Sequence, residues 1–173
     1  GELVRAESPS SDPGSQSGVR SLLAAELGAR GFATRFVAGR RTGGHLVARP
    51  RGRRRQAGQQ LVIGHYDTVW PVGTLRTMPF EYDGRHVRGP GVFDMKGGLA
   101  ELAFALRAIE ALALSMSVVP IVFLNSDEEI GSRESAPHIA RLARAADRAL
   151  ILEPSLGPAG ALKTARKCVG RYT

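Results

Sequence analysis

The chain has 173 residues, of which 43% are hydrophobic and 23% charged. This length can bury the core of one domain, and the composition is that of a globular protein, which excludes an intrinsically disordered chain. No apolar run reaches the roughly 20 residues that cross a bilayer, and no secretory signal opens the chain. The first residue is Gly rather than Met, so either the N-terminus is processed or the reading frame is incomplete.

The net charge is +8, and the densest basic run is Arg49–Arg55, which Pro50 and Gly52 interrupt. Such a run could bind nucleic acid. It lacks interleaved aromatic residues for base stacking and its Pro and Gly are typical of a loop, so we favour a solvated loop and expect no nucleic-acid partner. The single cysteine, Cys168, excludes an internal disulfide and a thiolate zinc site. A cytoplasmic location is therefore expected, and a catalytic thiol is the weaker interpretation of this residue.

Residues 1–16 are rich in Ser, Gly and Pro and predict a loose entry segment. From Gln16 onward, apolar residues recur at helical spacing, with Ser17 as the N-cap and Gly31 as the C-terminal stop. Two short strands are then predicted, at residues 33–37 and 45–48.

The rest of the chain alternates strands with helices. Residues 60–64 predict a buried strand because they form a compact apolar run, and residues 70–91, with three prolines and four glycines, predict an irregular excursion. Further strands are predicted at 117–124 and 148–152, and helices at 136–146 and 96–114. The apolar face of the last helix comprises Leu99, Leu102, Ala103, Leu106, Ile109 and Leu112. This alternation predicts an α/β layered fold with a largely parallel central sheet.

Polar side chains stand where three of the predicted strands end. His65 and Asp67 follow the first strand, Glu128 and Glu129 the second, and Glu153 the third. In open α/β sheets, ligands bind outside the carboxyl ends of the strands. Residues two apart on a strand point to the same face, so His65 and Asp67 can act together. The sequence thus predicts a functional site at this edge of the sheet.

The residue types indicate a metal site, because zinc, manganese and cobalt accept an imidazole mixed with carboxylates. Asp94 lies between a Gly-Pro-Gly turn and a helix start, where a carboxylate could bridge two metals. Glu128 and Glu129 diverge on an extended backbone, so one can bind metal while the other faces the substrate as a general base. Carboxylates crowded in this way would repel each other without cations. Three other histidines lack such neighbours, and we expect them to be surface or satisfied polar residues: His45, His86 and His138.

Four linked motifs in this order and spacing resemble those of the M20 metallopeptidases, and within them the glutamate carboxypeptidases of the carboxypeptidase G2 type. An N-terminal segment also resembles that of the family. The matching stretches are Glu7–Ser10, Gly64–Pro71, Gly89–Gly98, Asn125–Ser132 and Leu152–Pro154.

The resemblance implies a dinuclear zinc site, in which cobalt or manganese could replace zinc. His65 and Glu153 would hold one metal, Asp94 would bridge both, and Glu129 would hold the second. The resemblance also implies that the second metal takes a further histidine, which lies downstream of Thr173.

The implied reaction is hydrolysis of an amide or peptide bond in a small peptide or acyl-amino acid. Glu128 would be the general base, Asp67 would orient His65, and the Asp94–Met95 peptide bond would be cis. A C-terminal glutamate is the first expectation for the released amino acid.

The resemblance further implies a three-layer zinc-peptidase-like catalytic domain, of which residues 1–173 form the N-terminal part. The expected fold is therefore incomplete at the C-terminus, with an exposed sheet edge. The full-length family is expected to form homodimers, which this chain does not itself support.

Three hypotheses remain open. The first is an M20 amidohydrolase or carboxypeptidase. The second is a non-catalytic remnant that binds one metal through His65, Asp94 and Glu153. The third is a basic nucleic-acid-binding protein.

Overall fold

A computed structural model describes residues 1–52 and 58–165. Two sequence predictions lie wholly or partly outside these residues, namely the interpretation of Cys168 and the basic loop at Arg53, Arg54 and Arg55. The prediction of a solvated loop is wrong for Arg49, which lies in the strand His45–Pro50 and is half-buried. Within the described residues, no helix is both long enough and apolar enough to cross a membrane.

The described residues form four α-helices and seven strands, with a 3₁₀ turn at Thr74–Arg76. The helices are α1 (Glu2–Arg5), α2 (Ser17–Ala29), α3 (Gly97–Ala111) and α4 (Ala136–Ala143). The strands are β1 (Phe32–Val37), β2 (His45–Pro50), β3 (Gly58–His65), β4 (Glu81–Tyr82), β5 (Val87–Arg88), β6 (Val118–Asn125) and β7 (Arg148–Ile151). Every helix and strand predicted from the sequence is confirmed, with small shifts at the ends. Residues 70–91 are mostly irregular, as predicted, but include the short β4–β5 hairpin.

Five strands form one sheet in the order β1-β2-β6-β3-β7. β2 is antiparallel to both of its neighbours, whereas β6, β3 and β7 pair in parallel. Four of the five strands therefore run in the same direction, and the predicted largely parallel sheet is confirmed. α3 connects β3 to β6 and α4 connects β6 to β7, and both are helical crossovers of the kind that parallel strands require. As a result, β3, β6 and β7 all end at the same edge.

The sheet is covered on both faces because its central strands are apolar on both sides. Side chains alternate across a strand, so Val122 and Leu124 of β6 face one way while Ile121 and Phe123 face the other. The first pair packs with α2 and α3, and the second with residues of α4. This arrangement gives the three layers that the family resemblance implied.

The C-terminal end of α3 differs from the prediction. We expected the helix to reach Leu114, with Leu112 on its buried face, but α3 ends at Ala111 and Leu112 is exposed. The helix stops because Ala113 adopts a left-handed φ of 49°, and the Leu114 N–H then donates to the carbonyl of Ile109. The predicted exposed sheet edge is confirmed at β7, whose four residues are all exposed.

The prediction of a loose entry segment at residues 1–16 is wrong. Ser8 and Ser10 are buried, and Pro9 forms a parallel bridge with Thr68 next to the end of β3. Gln16, rather than Ser17, occupies the N-cap position of α2, and its buried amide donates to the Pro9 carbonyl at 2.9 Å. Polar side chains hold this segment in place by satisfying backbone groups of neighbouring loops, and hydrophobic periodicity carries no signal for such contacts.

Glu7 provides a test of how firmly this segment is held. Its carboxylate accepts hydrogen bonds from the backbone N–H groups of Gly73, at 2.7 Å, and Leu75, at 2.9 Å. Replacing Glu7 with Ala leaves both donors without this partner, so we expect urea denaturation to show a loss of about 1–3 kcal/mol. Glu101→Ala, on the exposed side of α3, is the control and should be near neutral.

The contribution of Glu7 to the stability of the fold should depend on pH. Burial raises the pKa of Glu7, but the two backbone hydrogen bonds and nearby cations outweigh burial and lower the pKa overall. A lowered folded-state pKa contributes stability above the unfolded-state value, and this contribution disappears as the pH falls through the folded-state pKa. The stability gap between wild type and Glu7→Ala should therefore narrow below about pH 4. A gap that stays constant from pH 7 to pH 3 would show that the carboxylate charge is not involved.

Candidate metal centre

The imidazole of His65 is buried at the end of β3 and is engaged on both ring nitrogens. Its Nδ1 lies 3.1 Å from the backbone carbonyl oxygen of Asp67 and 3.3 Å from Oδ1 of the same residue. Its Nε2 lies 2.9 Å from Oδ1 of Asp94, 3.5 Å from Oε1 of Glu153 and 4.0 Å from Oε2 of Glu128. One nitrogen thus faces an orienting carboxylate while the other faces three acids.

Two groups of side chains have the geometry to hold a metal ion. One is His65 with Glu128 and Glu153, and the other is His65 with Asp94 and Glu129. Within each group the ligand atoms lie within 4.8 Å of one another. We call these five residues the strand-end cluster. Both groups draw on the same histidine, and no further group of this kind occurs in residues 1–52 and 58–165.

Asp67 is fully buried next to the strand-end cluster. Its carboxylate accepts a hydrogen bond from the Ser10 hydroxyl at 2.6 Å and from the backbone N–H groups of Glu128 at 3.3 Å and Glu129 at 3.2 Å. The same side chain therefore contacts the ring of His65 and accepts hydrogen bonds from the backbone of the turn that carries the two glutamates.

Asp94 lies in a tight turn, Val92–Lys96, that leads into α3. The turn follows Gly91, whose φ of 69° favours glycine, and the predicted cis Asp94–Met95 peptide bond is confirmed. At the start of α3, a Cβ on Gly98 would lie 1.9 Å from the carbonyl oxygen of Leu152. Only glycine permits this approach, which brings the Asp94 turn close to the segment that carries Glu153.

The electrostatics of the strand-end cluster reflect an excess of acids over bases. Burial lowers the pKa of His65, but Asp67 and Glu153 outweigh burial and raise it to about 11. Burial, reinforced by the charge of Asp94, raises the pKa of Glu129 to about 7. Burial also raises the pKa of Glu128. A divalent cation would relieve this crowding, and one imidazole with several carboxylates is a donor set that zinc accepts, so these residues fit the metal that the sequence predicted.

Several buried polar residues support the site although no sequence motif or periodicity indicates their role. Asp127 accepts hydrogen bonds from the backbone of Glu134 and Ser135 at 2.9 and 3.1 Å, which closes the turn after Glu128 and Glu129. Lys96 is buried, and its ammonium group donates to the Ala6 carbonyl at 2.8 Å. Burial lowers the pKa of Lys96 to about 8.

The histidines outside the cluster follow the prediction only in part. His86 is exposed and contacts Asp83, as expected for a surface residue. His45 is buried, and its Nδ1 has no hydrogen-bond partner within the described residues, so the prediction of a surface or satisfied residue is wrong there. The reason is its position on β2, where His45 packs against Phe123 and His138.

Comparison with known proteins supplies the family. The model of peptidase family M20/M25/M40 matches residues 61–165. Carboxypeptidase G2 from Pseudomonas sp. (strain RS-16) is 34% identical over 157 residues, which cover 89% of this chain and 37% of that protein. The chain therefore spans just over a third of the length of this relative.

Solved structures show the same fold. Human carnosine dipeptidase 1 has a TM-score of 0.74 at 19% identity, over 90% of this chain and 37% of that one. The dipeptidase Dug1p from Saccharomyces cerevisiae has a TM-score of 0.72 at 19% identity, over 88% and 37%. The metallo-carboxypeptidase Sso-CP2 from Sulfolobus solfataricus has a TM-score of 0.68 at 20% identity, over 92% and 37%. The family model covers more than half of the residues of this chain, so the chain belongs to peptidase family M20/M25/M40.

Proposed function

We propose that this chain is the N-terminal part of the catalytic domain of a metal-dependent hydrolase that cleaves amide or peptide bonds. The observation that carries the proposal is the convergence of both ligand groups on His65, at the edge where β3, β6 and β7 end. The similarity to carboxypeptidase G2 favours release of a C-terminal amino acid such as glutamate from a small peptide or acyl-amino acid.

We assign the ligands as follows. His65 and Glu153, with 3.5 Å between Nε2 and Oε1, would hold one zinc ion. Asp94, which is close to His65 and belongs to the same ligand group as Glu129, would bridge to a second ion held by Glu129. The raised pKa of Glu129 supports this role, because its carboxylate lies where negative charge is already concentrated.

Glu128 is the residue we assign to proton transfer. Its side chain is about half exposed, at 46%, so one oxygen can face the cluster while the other remains open to substrate and water. Burial raises the pKa of Glu128 above its ordinary value, which makes the carboxylate a stronger base. When bound, the divalent ions would polarise the amide carbonyl and lower the pKa of the attacking water. Glu128 would take a proton from that water and pass it to the amine nitrogen as the carbon–nitrogen bond breaks.

A second candidate function is a metal-binding protein without turnover. It is favoured by a specific observation: within the described residues, both ligand groups share one histidine. His65, Asp94 and Glu153 would then hold a single ion. The two functions differ in metal stoichiometry and in catalysis.

Replacing Glu128 with Gln tests the catalytic assignment. Removal of a general base costs about 10²–10⁴-fold in rate, so kcat for hydrolysis of an N-acyl-glutamate should fall by this factor while zinc content stays unchanged. The matched control is Glu101→Gln on the exposed side of α3, which should keep the wild-type kcat. Equal activity in Glu128→Gln and wild type would show that the base is elsewhere. One zinc per chain with no turnover in the wild type would favour the non-catalytic alternative.

Zinc should stabilise the chain through His65. A ligand that binds only the folded state adds about 2.7 kcal/mol to the free energy of unfolding when its concentration is 100 times its Kd. The melting temperature should therefore rise when zinc is added and fall again when a chelator removes the zinc. His65→Ala should abolish the shift. His86→Ala, which changes an exposed histidine, should respond to zinc as the wild type does. A wild-type melting temperature that neither zinc nor chelator changes would show that no zinc site forms.

The affinity for zinc should rise with pH, because ligands must lose their protons to bind metal. With a pKa of about 11, His65 of the metal-free chain carries a proton at neutral pH that zinc must displace. Glu129, with a pKa of about 7, carries a second proton only below neutrality. Between pH 7 and 8.5 the affinity should therefore rise about tenfold per pH unit, and more steeply below pH 7. Calorimetry in buffers of different ionisation enthalpy measures the released protons, and release of none would contradict the assigned ligands.

A further inference from the structure

A second concave site lies on the face of the sheet that α4 covers. It is a cavity of about 290 Å³ between α4 and the antiparallel strands β1 and β2. Its apolar wall includes Val47 and Phe123, which belong to the core cluster on that face, and Leu142, which packs against that cluster. None of the strand-end cluster residues lines it, so this site is separate from the candidate metal centre.

The strand register explains why the cavity exists. Ala33 is paired with Arg49, and Arg35 with Val47, so these four side chains lie on the same face. Ala33 is small and leaves space beside its neighbours, while the two arginines border that space. α4 ends at Ala143 and contributes only eight residues to cover this face.

The charges at this cavity have one sign. Arg35, Arg49 and Arg141 line it together with His138, and no Asp or Glu does. Within the described part of the chain, none of these three arginines forms an ion pair with a carboxylate. Arg30, by contrast, pairs with Glu26 and Glu110. The three guanidinium groups therefore retain their donors for an outside partner.

Two histidine rings pack next to the apolar wall. The rings of His45 and His138 are 5.6 Å apart, and His45 is also 5.6 Å from Phe123, which lines the cavity. The Nδ1 of His45 is buried without a hydrogen-bond partner in residues 1–52 and 58–165. The wall is thus partly aromatic and includes the imidazole of His138.

We propose that this cavity binds a small organic anion. Its phosphate or carboxylate group would accept hydrogen bonds from Arg35, Arg49 and Arg141, because guanidinium groups match both anions in a bidentate geometry. Its apolar body would rest on Ala33 and Leu142, which line the cavity and are not fully buried. A cavity of about 290 Å³ is at the lower end of ligand pockets, which fits a body of roughly one aromatic ring.

Four probes test this proposal by calorimetry on the metal-free chain, so that the metal centre cannot capture the anion. Phenyl phosphate and benzoate combine an anion with a ring, inorganic phosphate has only the anion, and phenol has only the ring. At least one of the first two should bind about tenfold more tightly than either single-feature probe. The tighter of the two identifies the preferred anion.

Two variants test whether the arginines bind the probe. Arg49→Gln and Arg141→Gln should each lower the affinity for the preferred probe about tenfold, which is the loss expected when one charge-assisted hydrogen bond is removed. The control is Arg144→Gln, which changes an exposed arginine at the end of α4 that does not line the cavity, and it should bind as the wild type does. Circular dichroism should show that all three variants remain folded.

Three outcomes would overturn the proposal. The first is equal affinity in the wild type and in the Arg49→Gln/Arg141→Gln double variant, or no binding at all. The second is inorganic phosphate binding as tightly as both ring-bearing anions, which would remove the role of the apolar wall. The third is a random single-stranded oligonucleotide that binds more tightly than any small anion, through the same arginines and with a steep salt dependence, because the ligand would then be a nucleic acid.

Discussion

The buried carboxylate of Asp67 is the contact on which the rest of the site depends. It meets three parts of the chain that are far apart in sequence: the entry segment through Ser10, the end of β3 through His65, and the turn after β6 through Glu128 and Glu129. Burial of a charged carboxylate is costly unless it is paired and hydrogen-bonded, and here every neighbouring donor contributes to that compensation. Because one group satisfies all of these donors, the position of each part restricts the positions of the others.

The sheet determines where this contact can form. β3, β6 and β7 are parallel neighbours, so their carboxyl ends meet at one edge and bring residues 65, 128 and 153 together. Neither Asp94 nor the entry segment is on a strand. Asp94 reaches this edge because glycine allows the start of α3 to pack closely against Leu152. The entry segment reaches it through polar contacts with the segment after β3. The regular sheet thus supplies the common edge, and irregular backbone supplies the remaining groups.

The sequence predicts the sheet and the convergence at its edge because apolar periodicity and polar strand ends both leave clear patterns. It does not predict the docking of Ser8 and Ser10, since contacts between loop backbone and polar side chains have no periodicity. The exposure of Leu112 has a similar cause, because the left-handed turn at Ala113 is not encoded by the helical spacing that precedes it. The burial of His45 escapes prediction because an isolated imidazole on a strand gives no sign of which helix will cover it.

The two sites carry opposite local charges within a chain whose net charge is +8. Screening limits the reach of exposed charges to about 8 Å at physiological ionic strength, so local groups rather than net charge decide what each site binds. Without a metal, the acids of the strand-end cluster would repel a substrate that bears a carboxylate at close range. Bound cations would reverse that local sign. If the proposed hydrolysis holds, an anionic substrate can approach productively only after the metals have bound, so the same carboxylates that hold the metals would also impose the order of binding.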